Sequence, residues 1–149
     1  MRTISLILVA ALVACGDDDN PFEPAQLAAT YSLQTVDGAP LPYTVYTTGT
    51  LEVQTTAASL SFSGNSVTFT QTRRDRAPGS AEWQSRPPRV YTMTFTRDGN
   101  DLEIQTVNVP VPSAGLAFSV SRDGSTVTLS FPMEDDPYDG NQLMVFRRP

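Results

Sequence analysis

Two residue types limit the chemistry that this chain can do. The sequence has no histidine, and Cys15 is its single cysteine. A Ser-His-Asp triad or a Cys-His pair therefore cannot form, and zinc, copper and haem sites lose their usual ligands. The glycines stand singly rather than in a phosphate-binding loop. These observations predict a protein that is not an enzyme and that holds no metal or cofactor.

The carboxylates form one dense cluster, which runs from Glu134 to Asn141 and contains Asp135, Asp136 and Asp139. Calcium prefers several oxygen ligands of this kind, but the spacing matches no calcium-binding loop. A carboxylate pair for glycoside hydrolysis would need one carboxyl with a raised pKa in a cleft, and the sequence points to none. A solvated loop between two strands is the favoured interpretation, with a cation site as the alternative.

Arginine is concentrated in one long segment, residues 73–89, which also holds the only tryptophan, Trp83. Hairpin loops usually have about two to five residues, and longer ones are often functional. Trp and Arg are the residues most enriched at binding hot spots. The favoured interpretation is an ordinary loop, or one whose Trp83 plugs one end of the domain; the alternative is a recognition loop for another protein. The candidate interaction residues are Arg73, Arg74, Arg76, Trp83, Arg86 and Arg89.

The overall charge disfavours two classes of binding partner, nucleic acid and anionic lipid. The formal net charge is −6, and every basic residue is an arginine because the sequence has no lysine. A protein this acidic is a poor candidate for binding nucleic acid or anionic lipid through charge. We therefore expect no nucleic-acid partner.

The first residues are typical of a secretory signal. Arg2 precedes an apolar stretch from Ile4 to Ala14. This stretch is too short to span a bilayer, which needs about 20 apolar residues, but it fits the apolar core of a signal peptide. Leu12-Val13-Ala14-Cys15 resembles the lipobox of bacterial lipoproteins. That resemblance implies that residues 1–14 are removed and that Cys15 is lipidated; the alternative is an ordinary signal peptide with a chance cysteine at its end.

Residues 15–26 continue as a short acidic segment interrupted by prolines. Such a segment buries too little apolar surface to order itself, so it is predicted to be a flexible tether. The lipoprotein resemblance implies a lipid anchor in a membrane, and Gly16 after the cysteine favours the outer membrane, with the protein on its periplasmic or surface face. The expected location is therefore the cell envelope.

From Thr30 onward, apolar and polar residues alternate with a period of two. Tyr91, Met93 and Phe95, for example, alternate with threonines. Strict alternation predicts half-buried strands, each with one face on the core and one face in water. The sequence shows no amphipathic helix of useful length.

Three dipeptides typical of two-residue hairpin turns separate these strands: Gly64-Asn65, Asp98-Gly99 and Asp123-Gly124. Such turns fix the register, and in each hairpin the apolar residues then share one face, which a slip of one residue would destroy. The predicted pairs are Phe62 with Val67, Leu60 with Phe69, Phe95 with Leu102, Met93 with Ile104, Val120 with Val127, Phe118 with Leu129, and Leu116 with Phe131.

The predicted fold is all-β: one domain over residues 27–149, with about 8–10 antiparallel strands in an up-and-down β-barrel and no significant helix. Barrel closure also removes exposed strand edges. Whether Tyr43 to Thr48 adds an edge strand stays open.

The opening of this domain resembles small lipocalin-like (calycin-type) domains of bacterial lipoproteins. Leu27-Ala28-Ala29-Thr30-Tyr31-Ser32-Leu33 is similar to their first strand, and Gly38-Ala39-Pro40-Leu41-Pro42 is similar to the turn that follows it. Ala29 stands where those domains usually have glycine, and Tyr31 where lipocalins proper commonly have tryptophan. The resemblance implies a barrel whose interior binds a small apolar ligand.

An eight-stranded barrel is just wide enough to fill itself with side chains or to hold one small ligand. A filled core is favoured, and a ligand pocket is the alternative. The expected function is non-enzymatic binding of a small apolar ligand in the cell envelope, and the second hypothesis is a protein-interaction or protease-inhibitor-like module acting through the Arg73–Arg89 loop. The candidate lining residues are Phe69, Tyr91, Met93, Phe95, Phe118 and Phe131.

Overall fold

The chain forms one antiparallel sheet that closes on itself. The computed structural model describes residues 27, 29–107, 116–121, 123–133 and 140–149. The strands are β1 (Thr30–Val36), β2 (Ala39–Pro40), β3 (Tyr43–Thr47), β4 (Glu52–Ser63), β5 (Ser66–Arg76), β6 (Gln84–Ser85), β7 (Arg89–Asp98), β8 (Asp101–Val107), β9 (Ala117–Val120), β10 (Thr126–Met133) and β11 (Gly140–Arg147).

Eight of these strands make up a closed barrel. They follow one another in the order β1-β4-β5-β7-β8-β9-β10-β11, and β1 pairs with both β11 and β4 to complete the circle. Neighbours in the barrel are also neighbours along the chain once β2, β3 and β6 are set aside. The predicted all-β, up-and-down barrel is therefore confirmed.

The alternation of apolar and polar residues produces the barrel because alternate side chains of each strand point inward. In β5, Val67 and Phe69 are fully buried, whereas Ser66 and Thr68, which alternate with them, are half-exposed. The inward faces of all eight barrel strands contribute to a single hydrophobic core.

The two ends of the barrel differ. One end, here called the turn end, carries the tight turns after β4, β7 and β9, where Gly64, Gly99 and Gly124 take φ values of 58°, 58° and 67°. A side chain with a Cβ is strained at such positive φ, which explains glycine at these turns. The opposite end, called the rim end, carries the longer connections that leave β5, β8 and β10.

Two of the three predicted hairpin registers are confirmed. Phe62 pairs with Val67 and Leu60 with Phe69 across the Gly64-Asn65 turn. Across the Asp123-Gly124 turn, Val120 pairs with Val127 and Phe118 with Leu129. The ladder of that hairpin ends at the pair between Ala117 and Ser130, so Leu116, just before β9, is not paired with Phe131 within it.

The register predicted around Asp98-Gly99 is wrong by two residues. Asp98 pairs with Asp101, so the turn is Gly99-Asn100, and Phe95 lies opposite Ile104 rather than Leu102. A bulge between Thr94 and Phe95 then places Met93 opposite Val107 instead of Ile104. Between the turn and the bulge the shift is two residues, which keeps every side chain on its face, so the alternation in the sequence could not distinguish the two registers there.

Part of the sheet continues beyond the barrel wall at the rim end. A bulge in β4 between Thr55 and Ala57 interrupts its pairing with β5, and bulges bend a strand locally. Beyond that bulge, the first residues of β4 and the last of β5 are flanked by β3 and β6. This four-stranded part is called the rim extension below, and it answers the open question about Tyr43 to Thr48, since β3 is its edge strand.

The predicted signal peptide, Cys15 with its tether, and the acidic cluster 134–139 lie outside the described residues. Among the helices of the described part, none is long and apolar enough to cross a membrane.

Candidate functional site

The six aromatic and methionine side chains predicted to line the interior all point inward. Phe69, Met93, Phe95, Phe118 and Phe131 are buried, with at most 6% of their surface exposed. Tyr91 is only partly buried and packs against the same core. They come together as predicted from the alternation.

These rings pack on one another. Phe69 stacks on Tyr91 with ring centroids 5.9 Å apart, and Phe131 contacts both rings, at 5.4 Å from Phe69 and 5.6 Å from Tyr91. Phe62 contacts Phe95 edge-on at 5.8 Å. Such distances are typical of well-packed aromatic pairs, so these side chains occupy the interior that an apolar ligand would need.

A few polar side chains are buried as well. Thr55, Gln71, Arg73 and Gln142 are the buried polar or charged residues of the described part of the chain, each with at most 6% of its surface exposed. This group is called the polar cluster below. Gln71 and Arg73 continue the inward row of β5 beyond Phe69, and Gln142 pairs across the ladder with Phe131. Four polar or charged side chains are thus buried beside an otherwise apolar core.

Hydrogen bonding in the polar cluster is incomplete. Gln71 Nε2 donates to Thr55 Oγ1 at 2.9 Å, but Gln142 Oε1 is buried and accepts no hydrogen bond. A buried polar atom without a partner costs about 1–3 kcal/mol. Arg73 was predicted as an interaction residue, whereas Thr55, Gln71 and Gln142 were not predicted as site residues, although polar side chains at inward positions of β4, β5 and β11 are a signal in the sequence.

The arginine-rich segment is ordered and lies against the outside of the rim extension. Trp83 is held between two guanidinium groups, with its ring centre 4.3 Å from Arg74 Cζ and 4.2 Å from Arg76 Cζ. Both arginines alternate with the inward Arg73 on β5, so they face outward. Trp83 therefore lies outside the barrel, which rules out the interpretation that it plugs one end.

Each arginine of this stack is fixed by a second contact. Arg74 donates from Nε and Nη2 to Gln54 Oε1 at 3.1 and 2.9 Å. Arg76 pairs with Glu52 Oε2 at 2.8 Å and also donates to the Ser80 carbonyl. The stack of Arg74, Trp83 and Arg76, called the Arg-Trp ridge below, is thus held by contacts within the chain itself.

The other face of the same segment carries a second ion pair. Arg86 donates to both carboxylate oxygens of Asp75 at 2.9 Å, and the hydrogen bond from Arg86 lowers the pKa of the Asp75 carboxyl. The backbone of Arg86 also donates to the Arg73 carbonyl. The candidate residues of the loop are thus divided: Arg74, Arg76 and Trp83 face outward, Arg73 faces the interior, and Arg89 begins β7.

A groove that sequence analysis missed lies where β8 and β9 separate. The two strands share only the pairs Asp101 with Ser119 and Leu102 with Phe118. Beyond those pairs there is a space of about 670 Å³, lined by Ile104, Leu116 and Leu143 among others. The shortness of β9 is the one sequence feature related to it.

Metal ligation and similarity to known proteins give no further indication of function. Within the described ranges, no three His, Cys, Asp or Glu side chains are placed to hold a metal ion. No family model matches the chain, and neither a curated protein nor a solved structure matches it. Function is therefore inferred from the contacts, charges and burial described above.

Proposed function

We propose that this protein is a lipid-anchored, non-enzymatic interaction module of the cell envelope. In this proposal the barrel is a rigid scaffold, and the Arg-Trp ridge binds an acidic surface on another protein. The observation that supports it most directly is the ridge itself: Trp83 clamped between Arg74 and Arg76 on an ordered, outward-facing sheet.

Preorganisation is the first physical argument. A side chain that is already fixed loses little conformational entropy when a partner binds. Trp83 is half-buried between the arginines, so it presents a large ring at a fixed position. Tryptophan and arginine together are the residue types that dominate binding energy at protein interfaces.

Charge is the second argument. Residues 73–89 contain five arginines but only two acids, Asp75 and Glu82, in a chain whose net charge is −6. Asp75 and Glu52 neutralise Arg86 and Arg76, whereas Arg74 is bonded by the neutral amide of Gln54. A basic ridge on an acidic protein favours a partner with carboxylates and directs how the two approach each other.

Site-specific photo-crosslinking in the cell envelope tests this proposal. A photoreactive residue replaces Glu82, which is exposed beside the ridge, and in a second chain it replaces Asn65, which is exposed at the turn end. We expect a discrete adduct from position 82 and none from position 65. The adduct should fall at least tenfold with Trp83→Ala or Arg74→Glu, because either change removes a central contact.

The matched control is Arg147→Glu, which makes the same change of charge at the exposed turn-end part of β11. It should leave the adduct at position 82 intact. Equal crosslinking from both positions, or an adduct that survives both ridge variants, would show that the ridge is not the binding surface.

A second candidate function is binding of a small ligand, and the polar cluster is the observation that favours it. A filled apolar core needs no buried Arg73, Gln71 or Gln142, because each costs free energy unless it is fully paired. Tyr91, one of the residues predicted to line the interior, is only partly buried and packs against the core.

A further inference from the structure

We propose that the groove between β8 and β9 binds the Arg-Trp ridge of a second copy of this protein. This inference rests on the proposed function, in which the ridge is a binding surface, and it names the acidic surface that the ridge binds. The ridge arginines lie on β5, whereas the groove is lined by residues of β8 to β11. The contact therefore joins two copies and does not form within one.

The groove has both acidic and apolar lining residues. Its acidic residues are Asp98, Asp101 and Glu103, and its apolar residues include Leu116 and Leu143. Leu143 is 49% exposed, which is unusual here for a large hydrophobic side chain. The space of about 670 Å³ lies within the range of about 300–1,000 Å³ that is typical of pockets for drug-sized groups. An indole ring with an adjacent guanidinium group can therefore enter it.

The carboxylates of the groove are not neutralised within the described part of one copy. None of the three acids forms an ion pair with another described residue. Asp98 and Asp101 also lie opposite each other in the ladder between β7 and β8, and like charges in such positions are destabilising. A cationic group bound in the groove relieves this repulsion, which favours a basic partner.

The Arg-Trp ridge presents the groups that match this lining. Trp83 supplies a large ring between the guanidinium groups of Arg74 and Arg76. Arg74 is bonded by the neutral amide of Gln54 through two of its N–H groups, and a guanidinium has five, so donors remain for a carboxylate. In the docked pair the ring packs on the apolar residues of the groove, and the guanidinium groups face its acids.

The net charge of −6 on each copy does not prevent this contact. Exposed charges separated by more than about 8 Å are largely screened at physiological ionic strength. The charges that meet at the contact therefore decide whether two copies attract each other.

Photo-crosslinking between two differently tagged full-length chains in the bacterial cell envelope tests this inference. The first chain carries a photoreactive residue in place of Ser119, which lines the groove and is exposed. We expect an adduct with the mass of two chains that contains both tags. Arg74→Glu in the second chain should reduce this adduct at least tenfold. The same change in the first chain should not reduce it, because the contact is heterologous and the first chain contributes its groove.

Charge variants provide the matched controls. Arg147→Glu in the second chain makes the same change of charge at the exposed turn end and should leave the adduct intact. Glu103→Arg in the first chain should reduce the adduct several-fold. Combined with Arg74→Glu in the second chain, it should restore part of the adduct, since the two charges then attract each other again.

Asp101→Asn in the first chain separates binding from folding. It should reduce the adduct several-fold and yet raise the urea midpoint of unfolding, because it removes the repulsion between Asp101 and Asp98. A lower midpoint together with less adduct would show that Asp101 acts through the fold, which would overturn its assignment to the contact.

The contrary results differ from those for the proposed function. Equal loss of the adduct when Arg74→Glu is placed in either chain would overturn the ridge-to-groove contact. If position 119 gave no adduct with a second copy while position 82 still gave one with another protein, this inference alone would be wrong. If neither position gave an adduct, the inference and the proposed function would both be wrong.

Discussion

Phe69 shows at the residue scale what holds the interior together. Its side chain is fully buried, and its ring contacts Tyr91, Phe131 and Phe146. A residue in three ring contacts fixes the positions of four strands at once, since the four rings come from β5, β7, β10 and β11. Its removal should therefore affect the whole barrel.

Phe69→Ala is expected to lower the free energy of unfolding by about 3–5 kcal/mol, the cost of a large cavity in a packed core. Urea unfolding of the full chain measures it. Leu143→Ala is the control, because Leu143 is 49% exposed on the outer face, and it should cost under about 1 kcal/mol. A loss near that of the control would mean that Phe69 lines a cavity instead of a filled core.

Tyr31 is the polar exception at the apolar turn end. Its hydroxyl donates to the Gly124 carbonyl at 2.7 Å across 93 positions of sequence. Burial raises the pKa of this hydroxyl, so it stays protonated and able to donate. The bond ties β1 to the turn after β9.

Tyr31→Phe should lower the free energy of unfolding by about 1–3 kcal/mol, because the buried Gly124 carbonyl then loses its partner. Tyr43→Phe removes a comparable bond, from Tyr43 to Asp37 Oδ2 at 2.8 Å, at an exposed site, and water can replace it there. Thermal unfolding of the two variants should show the larger loss for Tyr31; equal losses would contradict the role of burial.

At the scale of elements, the turn between β9 and β10 depends on one carboxylate. Asp123 Oδ1 accepts bonds from the Ser121 hydroxyl at 2.6 Å and from the Ser125 backbone at 3.0 Å. These bonds, the one from Ser121 first, lower the pKa of Asp123 from 3.8 to about 2. The charged form is thus the one that the folded turn favours.

Since the folded pKa is the lower one, this stabilisation is present above the unfolded value of 3.8 and is lost as the pH falls towards about 2. The full chain should accordingly lose stability over that range in urea unfolding. Asp123→Asn should be less stable at neutral pH and should lose less between the two pH values. A variant with an unchanged pH profile would show that other carboxyls control the acid response.

At the scale of the whole molecule, the proposed function combines a lipid anchor at Cys15 with a binding surface, the Arg-Trp ridge. The prediction of a lipidated Cys15 concerns residues outside those that the structure describes, so it is tested by fractionation. The parent chain, expressed in a bacterium, should sediment with membranes and incorporate labelled palmitate. Cys15→Ser should do neither, since two or more acyl chains are what makes anchoring stable.

The control for that experiment is Ser63→Cys in the Cys15→Ser chain, which returns a cysteine at an exposed position of the turn end. It should stay unlabelled, because the lipobox resemblance and not the thiol alone specifies the modification. Membrane association of Cys15→Ser equal to that of the parent chain would contradict the lipoprotein proposal.

Several features were determined by the sequence by itself. Alternation of apolar and polar residues predicted the strands, and glycine turns predicted two registers, because both depend on neighbours within a few residues. The inward positions of Phe69, Phe118 and Phe131 followed from the same local pattern. The absence of histidine excluded a Ser-His-Asp triad and histidine ligands for metals, whatever the fold.

Only the tertiary structure decided where the bulges lie, how the Arg-Trp ridge forms and where Gln142 lies, because these features depend on residues far apart in the chain. The bulges in β4 and β8 shift the strand register, and the one in β4 moves the inward face from Val53 and Thr55 to Ala58 and Leu60. The ridge forms because β6 returns to pair with β5 and sets Trp83 over Arg74 and Arg76. Gln142 lies on β11, which closes the barrel by pairing with β1, and no local pattern specifies that closure.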